Sequence, residues 1–257
     1  MNFIKRIFFK LLGVRAYLRF ISRLFFFSYF NGLLKKKPEF ECHYMAQQLV
    51  KSGDYVIDLG ANLGYYSVIF SKLVGNDGKV FSIEPVELFR NIFSKNTKKL
   101  TNIEMLPYAI GPVDNEKIKM GVPVTSSYFS HGRTHVLSSA EECAMIFDAI
   151  TMRPETIFKN LDKLNYLKCD IEGFEGVAIP LFKEIILKFK PILQIEIDPE
   201  NKDELVPFLK ALDYSVFQVI DQKLHKVTDP HQAFGDLIFI DKRKIGKYVA
   251  LLADKLF

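Results

Sequence analysis

Tyr55-Val-Ile-Asp-Leu-Gly-Ala-Asn-Leu-Gly-Tyr-Tyr66 decides how this chain folds. It reads as a buried strand, a glycine turn and the opening of a helix. Glu84 lies twenty residues beyond Gly64 and closes a second strand, Lys79-Val-Phe-Ser-Ile-Glu84, with Pro85 directly after it. A glycine turn after one strand and a carboxylate ending the next is how a doubly wound sheet holds an adenosine ribose. The expected fold is α/β, a Rossmann-like and mostly parallel doubly wound sheet.

The glycine spacing separates the cofactors. Gly60-Ala-Asn-Leu-Gly64 is G-x-x-x-G rather than the G-x-G-x-x-G of dinucleotide sites, and no Gly-Lys-Ser/Thr follows to make a P-loop. Asp58 precedes the first glycine by two residues and would bring a carboxylate toward a ligand with a positive amino acid group. S-adenosylmethionine has that group and no phosphate. The candidate cofactor residues are therefore Asp58, Gly60, Asn62, Gly64, Tyr65, Glu84 and Pro85. On the alternative reading Gly60 and Gly64 only turn the chain between packed elements. Asp58 and Glu84 at the expected spacing favour the methyl-donor site.

At 257 residues the chain can bury one substantial core without a second globular domain. Cys42, Cys143 and Cys169 are an odd set with no C-x-x-C pair, which argues for a reduced, cytosolic body without disulfides or zinc. The net charge of +5 is unevenly placed. Residues 1–37 carry nine Lys or Arg and no acid, which leaves the body 26 basic and 30 acidic residues. A body of charge −4 is not a nucleic-acid binder by charge.

In residues 1–37, Arg15, Arg19 and Arg23 recur every four positions among Phe and Leu. They interrupt every window long enough for a membrane span, and no signal-peptide cleavage site is evident. The expectation is a basic amphipathic helix lying on an anionic membrane surface, on its inner face, with Lys35-Lys-Lys-Pro38 as linker and a catalytic domain over 38–257. The competing reading packs the helix on the body or on a second subunit.

Within the body, strands are expected at Tyr55–Leu59, Lys79–Glu84, Ile103–Ile110, Tyr166–Asp170, Ile192–Ile197, Tyr214–Ile220 and Asp236–Ile240. Helices alternate with them, including one over Glu175–Phe189 and a tail helix to Phe257. Between Gly111 and Ile150 the pattern loosens, with short strands near Lys117–Met120 and Met145–Thr151. The two late strands suggest a hairpin-like edge, one of them antiparallel.

Lys168-Cys-Asp-Ile-Glu-Gly-Phe-Glu175 sets three acids beyond a central strand, and Gln194-Ile-Glu196 adds another. Ligands of open parallel sheets sit beyond the carboxyl ends of the strands, so Asp170 and Glu172 should face the same crevice as Gly60 and Glu84. Methyl transfer to a hydroxyl needs an aligned oxygen relieved of its proton, and a carboxylate can do both. Asp170 and Glu172 are the catalytic candidates. Glu172 or Glu175 could instead favour the next helix N-terminus; a divalent metal between Asp170 and Glu196 is a third reading, and no metal is assigned. The polar loop 122–135 offers Ser126, Ser127, His131 and His135 as acceptor contacts.

Taken together, Ile57–Tyr66, Ile83-Glu-Pro85, Tyr166–Glu175 and Ile195-Glu196 resemble the FkbM-type methyltransferases, a branch of the S-adenosylmethionine-dependent class I fold. The resemblance runs from about Asp54 to Ile240, with D-x-E-G-x-E its most specific piece. It implies O-methylation, often of a sugar hydroxyl, and hence a glycan or glycolipid acceptor; a soluble small molecule or a non-catalytic binding role are the alternatives. Two positions depart from the family pattern. Thr151-Met-Arg153 stands where Thr-Leu-Asp is usual, and Asp236 replaces an Asn before the last strand.

Overall fold

The structure, a computed structural model, describes residues 2–123, 134–136 and 143–253. Ser126, Ser127 and His131 lie outside the described residues.

The chain runs α1 (Asn2–Phe30), α2 (Glu41–Leu49), β1 (Tyr55–Leu59), α3 (Tyr65–Val74), β2 (Lys79–Ile83), α4 (Glu87–Asn96) and β3 (Ile103–Leu106). Next, β4 (Ala109–Ile110), β5 (Lys117–Pro123), β6 (His135–Val136) and β7 (Cys143–Met152) form a separate small sheet. Alternation resumes with α5 (Pro154–Ile157), β8 (Tyr166–Cys169), α6 (Glu175–Leu181), α7 (Lys183–Phe189), β9 (Ile192–Glu196) and α8 (Lys202–Ala211). The last strands are β10 (Tyr214–Ile220), β11 (Lys223–Lys226) and β12 (Asp236–Asp241).

The main sheet has the order β11-β10-β12-β9-β8-β1-β2-β3. Its five strands from β3 to β9 are parallel, and β12 slots antiparallel between β9 and β10. This is the doubly wound, mostly parallel sheet with a late antiparallel strand that the sequence predicts. The alternating faces of β1 show why it reads as a continuous apolar run. Val56 packs with Met45, Leu49 and Phe70 on one side, while Ile57 joins Ile179, Phe182 and Ile186 on the other. Strands covered on both faces favour apolar residues on both, each worth about 1.5–3 kcal/mol when fully buried; Asp58, at the floor of the site, is the buried exception in β1.

Helix α1 breaks at Gly13, whose φ of 68° and ψ of 165° are non-helical. Beyond that break the helix packs on the body. Tyr17 and Leu18 are buried with Phe89 and Ile92 of α4. Tyr29 stacks on Tyr44 at 4.6 Å and accepts its hydroxyl through its carbonyl at 3.0 Å.

Four elements differ from their expected form, each for a local reason. The strand expected over Ile103–Ile110 splits at Pro107, which has no N–H for a ladder; β3 pairs with β2 and β4 with β7. The helix expected over Glu175–Phe189 becomes α6 and α7, parted at Phe182, whose φ of −83° and ψ of 3° leave the helical region two residues after Pro180. The tail over Lys242–Leu251 is a 3-10 helix. Ile245, Tyr248 and Leu251 pack on the core at a spacing of three, the 3-10 period. Strand β11 has no counterpart in the expected set. It returns from β10 through Asp221 and Gln222, whose φ values of 51° and 58° make a primed two-residue turn without its usual Asn-Gly.

Candidate active site

The β1–α3 turn and the end of β2 build one side of a cavity of about 570 Å³. Gly60 has φ 75°, and a Cβ there would sit 1.8 Å from the Asp170 carbonyl oxygen. So the first glycine is required by the closeness of two strand ends. Gly64, φ 90°, lies outside the lining and faces the Phe93 ring, 3.1 Å from a built Cβ. Glu84 is buried. One carboxylate oxygen accepts the Asn62 N–H at 2.9 Å and the other the Val86 N–H at 2.8 Å. Burial raises its pKa to about 7 against those two bonds. Each oxygen keeps a further lone pair for a ligand hydroxyl.

Asp58 is fully buried at the floor. Its Oδ2 accepts the Ser67 hydroxyl at 2.5 Å, and that hydroxyl also meets Ser82 at 2.9 Å. Its Oδ1 has no hydrogen bond among the described residues and lies 3.8 Å from Lys168 Nζ. Burial pushes Asp58 upward by more than Lys168 and Ser67 pull it down.

The ends of β8 and β9 build the opposite side. Lys168 Nζ donates to Asp170 Oδ2 at 3.0 Å. Burial disfavours the ammonium, yet Asp170 and Asp58 together hold its pKa above the lysine range. Asp170 is half-buried, and Lys168 and a hydrogen bond with the Glu196 carboxyl outweigh the desolvation and keep it below the usual carboxylate value. Glu196 goes the other way: crowding by protein, then the Asp170 charge, push it up to about 9 although it sits at the exposed rim. The pair therefore shares one proton, Asp170 ionised and Glu196 protonated.

Glu172 and Glu175 have separate tasks. Glu175 accepts the Ile171 N–H at 2.8 Å and the Gly173 N–H at 3.0 Å, and so clamps the turn after β8. Glu172 sits in that turn at φ 56°, a left-handed conformation unusual for Glu, and lines the cavity. Partial burial and the Asp170 charge raise it to about 8.

The cavity thus brings together Asp58, Gly60, Asn62, Tyr65, Glu84, Pro85, Asp170 and Glu172. Glu196 touches it only through Asp170. The described part of the 122–135 loop adds Thr134. Unforeseen in the sequence are Lys168 and His43, and the wall that α1 supplies through Ile21, Leu24, Phe25 and Ser28. Lys168 carries a signal, a lysine two residues before Asp170. Residues of α1 and α2 gave none, because nothing in their own pattern states which strand end they cover.

A family model described as the methyltransferase FkbM domain matches residues 58–216, from β1 into β10 and across both sides of this cavity. The chain belongs to the FkbM methyltransferase family. It is an S-adenosylmethionine-dependent methyltransferase. Among solved structures it is similar to an FkbM methyltransferase of Methylobacillus flagellatus, at 16% identity over 82% of this chain and 52% of that one, TM-score 0.48. A rRNA methylase of Streptococcus thermophilus matches at 12% identity over 80% and 97% of the two chains, TM-score 0.47. A curated relative, the "Probable cobalt-precorrin-6B C(15)-methyltransferase (decarboxylating)" of Saccharolobus solfataricus, is 34% identical over 73 residues, 27% of this chain. The match spans 37% of that relative's length.

The residues of this FkbM methyltransferase fit the methyl donor. Glu84 lines the cavity and keeps acceptor capacity on both carboxylate oxygens for a ribose diol. The two departures from the family pattern also find partners. Arg153 is bound by Asp114, which accepts its backbone N–H at 2.7 Å and its side chain at 3.1 Å, so a carboxylate still meets the start of α5. Asp236 accepts from Gln194 Nε2, which also donates to the Tyr66 hydroxyl at 2.7 Å beneath the site.

Proposed function

We propose that this FkbM methyltransferase methylates a hydroxyl of a glycan or glycolipid presented at an anionic membrane surface. The observation that carries the reading is Asp170, which lines the cavity with its carboxylate held by Lys168 Nζ at 3.0 Å. Bound S-adenosylmethionine supplies an electrophilic methyl group on a sulfonium. Asp170 orients the acceptor hydroxyl by accepting its hydrogen bond, with Lys168 fixing the carboxylate. As the hydroxyl oxygen bonds to the methyl carbon and the carbon–sulfur bond breaks, the hydroxyl proton passes to Asp170. The donor, with Glu84 holding its ribose, would supply the methyl carbon and keep the sulfur electron pair of the broken bond.

The membrane part of the reading is supported by the outer face of α1. Phe20, Leu24, Phe27 and Phe30 are exposed there, Phe27 by 63%, and Leu33 continues the stripe. Arg15, Arg23 and Lys35–Lys37 are exposed around it. A stripe of this kind rimmed by cations suits an anionic lipid surface, at about 1 kcal/mol per basic residue near it. Among the described residues no helix is long and apolar enough to cross a membrane. The reading therefore lays α1 on the inner leaflet, with a cytoplasmic body.

A soluble natural-product acceptor is the second reading, favoured by the apolar wall of Leu24, Phe25 and Phe40. Sedimentation with phosphatidylcholine vesicles, with and without phosphatidylglycerol, separates the two. Binding that needs phosphatidylglycerol and is lost in a Phe20→Ser/Phe27→Ser variant is expected. Protein that stays in the supernatant at low salt would leave the soluble acceptor.

A further inference from the structure

Helix α1 faces two ways. Its inner side walls the cavity through Ile21, Leu24 and Phe25, and the chain that follows adds Leu34 and Phe40. Among the described residues, Ser28 is the one polar side chain that α1 contributes to the lining. The wall is held in place, since the Phe25 ring meets Tyr65 edge-on at 4.5 Å and Phe40 at 5.8 Å. The outer side carries the exposed stripe of Phe20, Leu24 and Phe27. Leu24 belongs to both sides. It lines the cavity and is 52% exposed.

Helical geometry accounts for the overlap. At about 100° per residue, Leu24 lies about 60° around the helix from Ile21. Phe20 and Phe27 follow in the same sense at about 100° and 120°, and Arg23 at about 160°. Over residues 20–27 the apolar surface therefore runs unbroken from the cavity, across Leu24, to the outside, where it ends at a cation. Lys37 and Glu39, both exposed, line the cavity's open side. A wall sealed from the surface would suit any small apolar molecule. One continuous with an outer stripe rimmed by cations suits an amphiphile whose chain enters from a lipid layer. Its head then lies toward the strand ends, where Lys168 and Asp170 line the cavity.

We propose that the α1 half of the cavity is a hydrocarbon-chain subsite. It takes one chain of a membrane lipid whose head group carries the acceptor hydroxyl. The proposal rests on the membrane-surface reading and deepens it. Leu24 is the sill that the chain crosses, and Ile21, Phe25, Leu34 and Phe40 are its bed. Apolar burial draws the chain in, at about fourfold in affinity for each methylene enclosed.

The test titrates the full chain, loaded with S-adenosylhomocysteine, with hexyl-, octyl- and decylphosphocholine below their micelle concentrations. The zwitterionic head keeps simple attraction to lysine and arginine out of the series. One amphiphile is expected to bind per protein, tightening about fourfold per methylene. Because Leu24 is half exposed, Leu24→Asn should fold normally and weaken decylphosphocholine about fivefold or more. Phe20→Ser/Phe27→Ser alters only the outer stripe and should keep that affinity within about twofold. Equal affinity across the series, an unchanged Leu24→Asn, or equal loss in the outer-stripe variant would overturn the subsite. Sedimentation with phosphatidylglycerol vesicles tests the membrane reading separately. Vesicle binding without chain binding overturns the subsite alone. Chain binding without vesicle binding upholds the subsite and strikes the membrane as the source of the chain.

Discussion

The two sides of the cavity hold their carboxylates in opposite ways. At the β1 and β2 ends, Glu84 is answered by backbone N–H groups of Asn62 and Val86, and Asp58 by Ser67. At the β8 and β9 ends the acids face one another, with Lys168 as the cation joining them to Asp58. Backbone donors cannot move or titrate, so the first side is a preformed binding surface. Mutually repelling acids spread their proton affinities, so the second side is where a proton can change hands. On the proposed reading, donor binding and proton transfer are separated by the kind of partner each acid has.

Gly60→Ala should have the largest effect and tests whether the two sides depend on each other. The new Cβ would strike the Asp170 backbone at a φ of 75°, so neither relaxation nor rotation relieves it. A loss of about 3 kcal/mol or more is expected, read as a fall in melting temperature of roughly 6–12 °C. Gly173→Ala is the control on the acid side. Its φ of 95° strains an alanine too, but the Cβ meets only the Asp198 side chain at 3.1 Å and no backbone, so a smaller fall is expected there.

Asp170→Asn should come next. It removes the ionised acid and leaves Lys168 with Asp58 alone. Methyl transfer is expected to fall about 100-fold or more, while S-adenosylhomocysteine affinity changes little. Carboxyl carbon-13 titration should show Glu196 moving well below its present value of about 9. If Glu196 does not move, burial alone sets it, and the shared proton is wrong.

Glu84 gives an effect that depends on pH. Its folded value of about 7 lies above the ordinary 4.5, so the folded protein keeps a proton that the unfolded chain releases. Without ligand, this residue's contribution to stability is fully present below the ordinary value and is lost as pH rises to about 7. Ribose hydroxyls need the ionised form, so S-adenosylhomocysteine affinity should fall below about pH 7, by up to about tenfold per pH unit. The ligand-induced rise in melting temperature should therefore be larger at about pH 8 than at about pH 6. A Glu84→Gln variant should bind more weakly throughout and lose that dependence.

The same contrast explains what the sequence made legible. The preformed side is encoded locally: strand, Gly60, Asn62 and Glu84 lie within thirty residues, and each turn demands its residue type. The central strands are legible because burial on both faces makes most of their residues apolar. The acid side required pairing across elements, Lys168 with Asp58 and Asp170 with Glu196. No periodicity states such contacts. His43 and the α1 wall were least legible, because α1 and α2 were read only for helix, charge and apolar stripe. Strand β11 was hidden by its turn, where Asp221 and Gln222 take left-handed angles without glycine.

The smallest expected effect compares the two non-glycine residues that each side holds at positive φ. Asn62 has φ 50° and Glu172 φ 56°. Asn tolerates the left-handed region through local hydrogen bonding, whereas Glu pays about 1–2 kcal/mol for it. Glycine at 172 removes that cost but adds about 0.5–1 kcal/mol of unfolded-state entropy. Glu172→Gly should therefore stabilise the fold by about 0.5–1 kcal/mol, roughly 1–4 °C in melting temperature. Asn62→Gly should be neutral or slightly destabilising, since there is less strain to relieve. Loss of methyl transfer in the more stable Glu172→Gly protein would identify the strain as held for the reaction. Full activity in that variant would reduce Glu172 to a turn residue and leave proton transfer to Asp170 and Glu196.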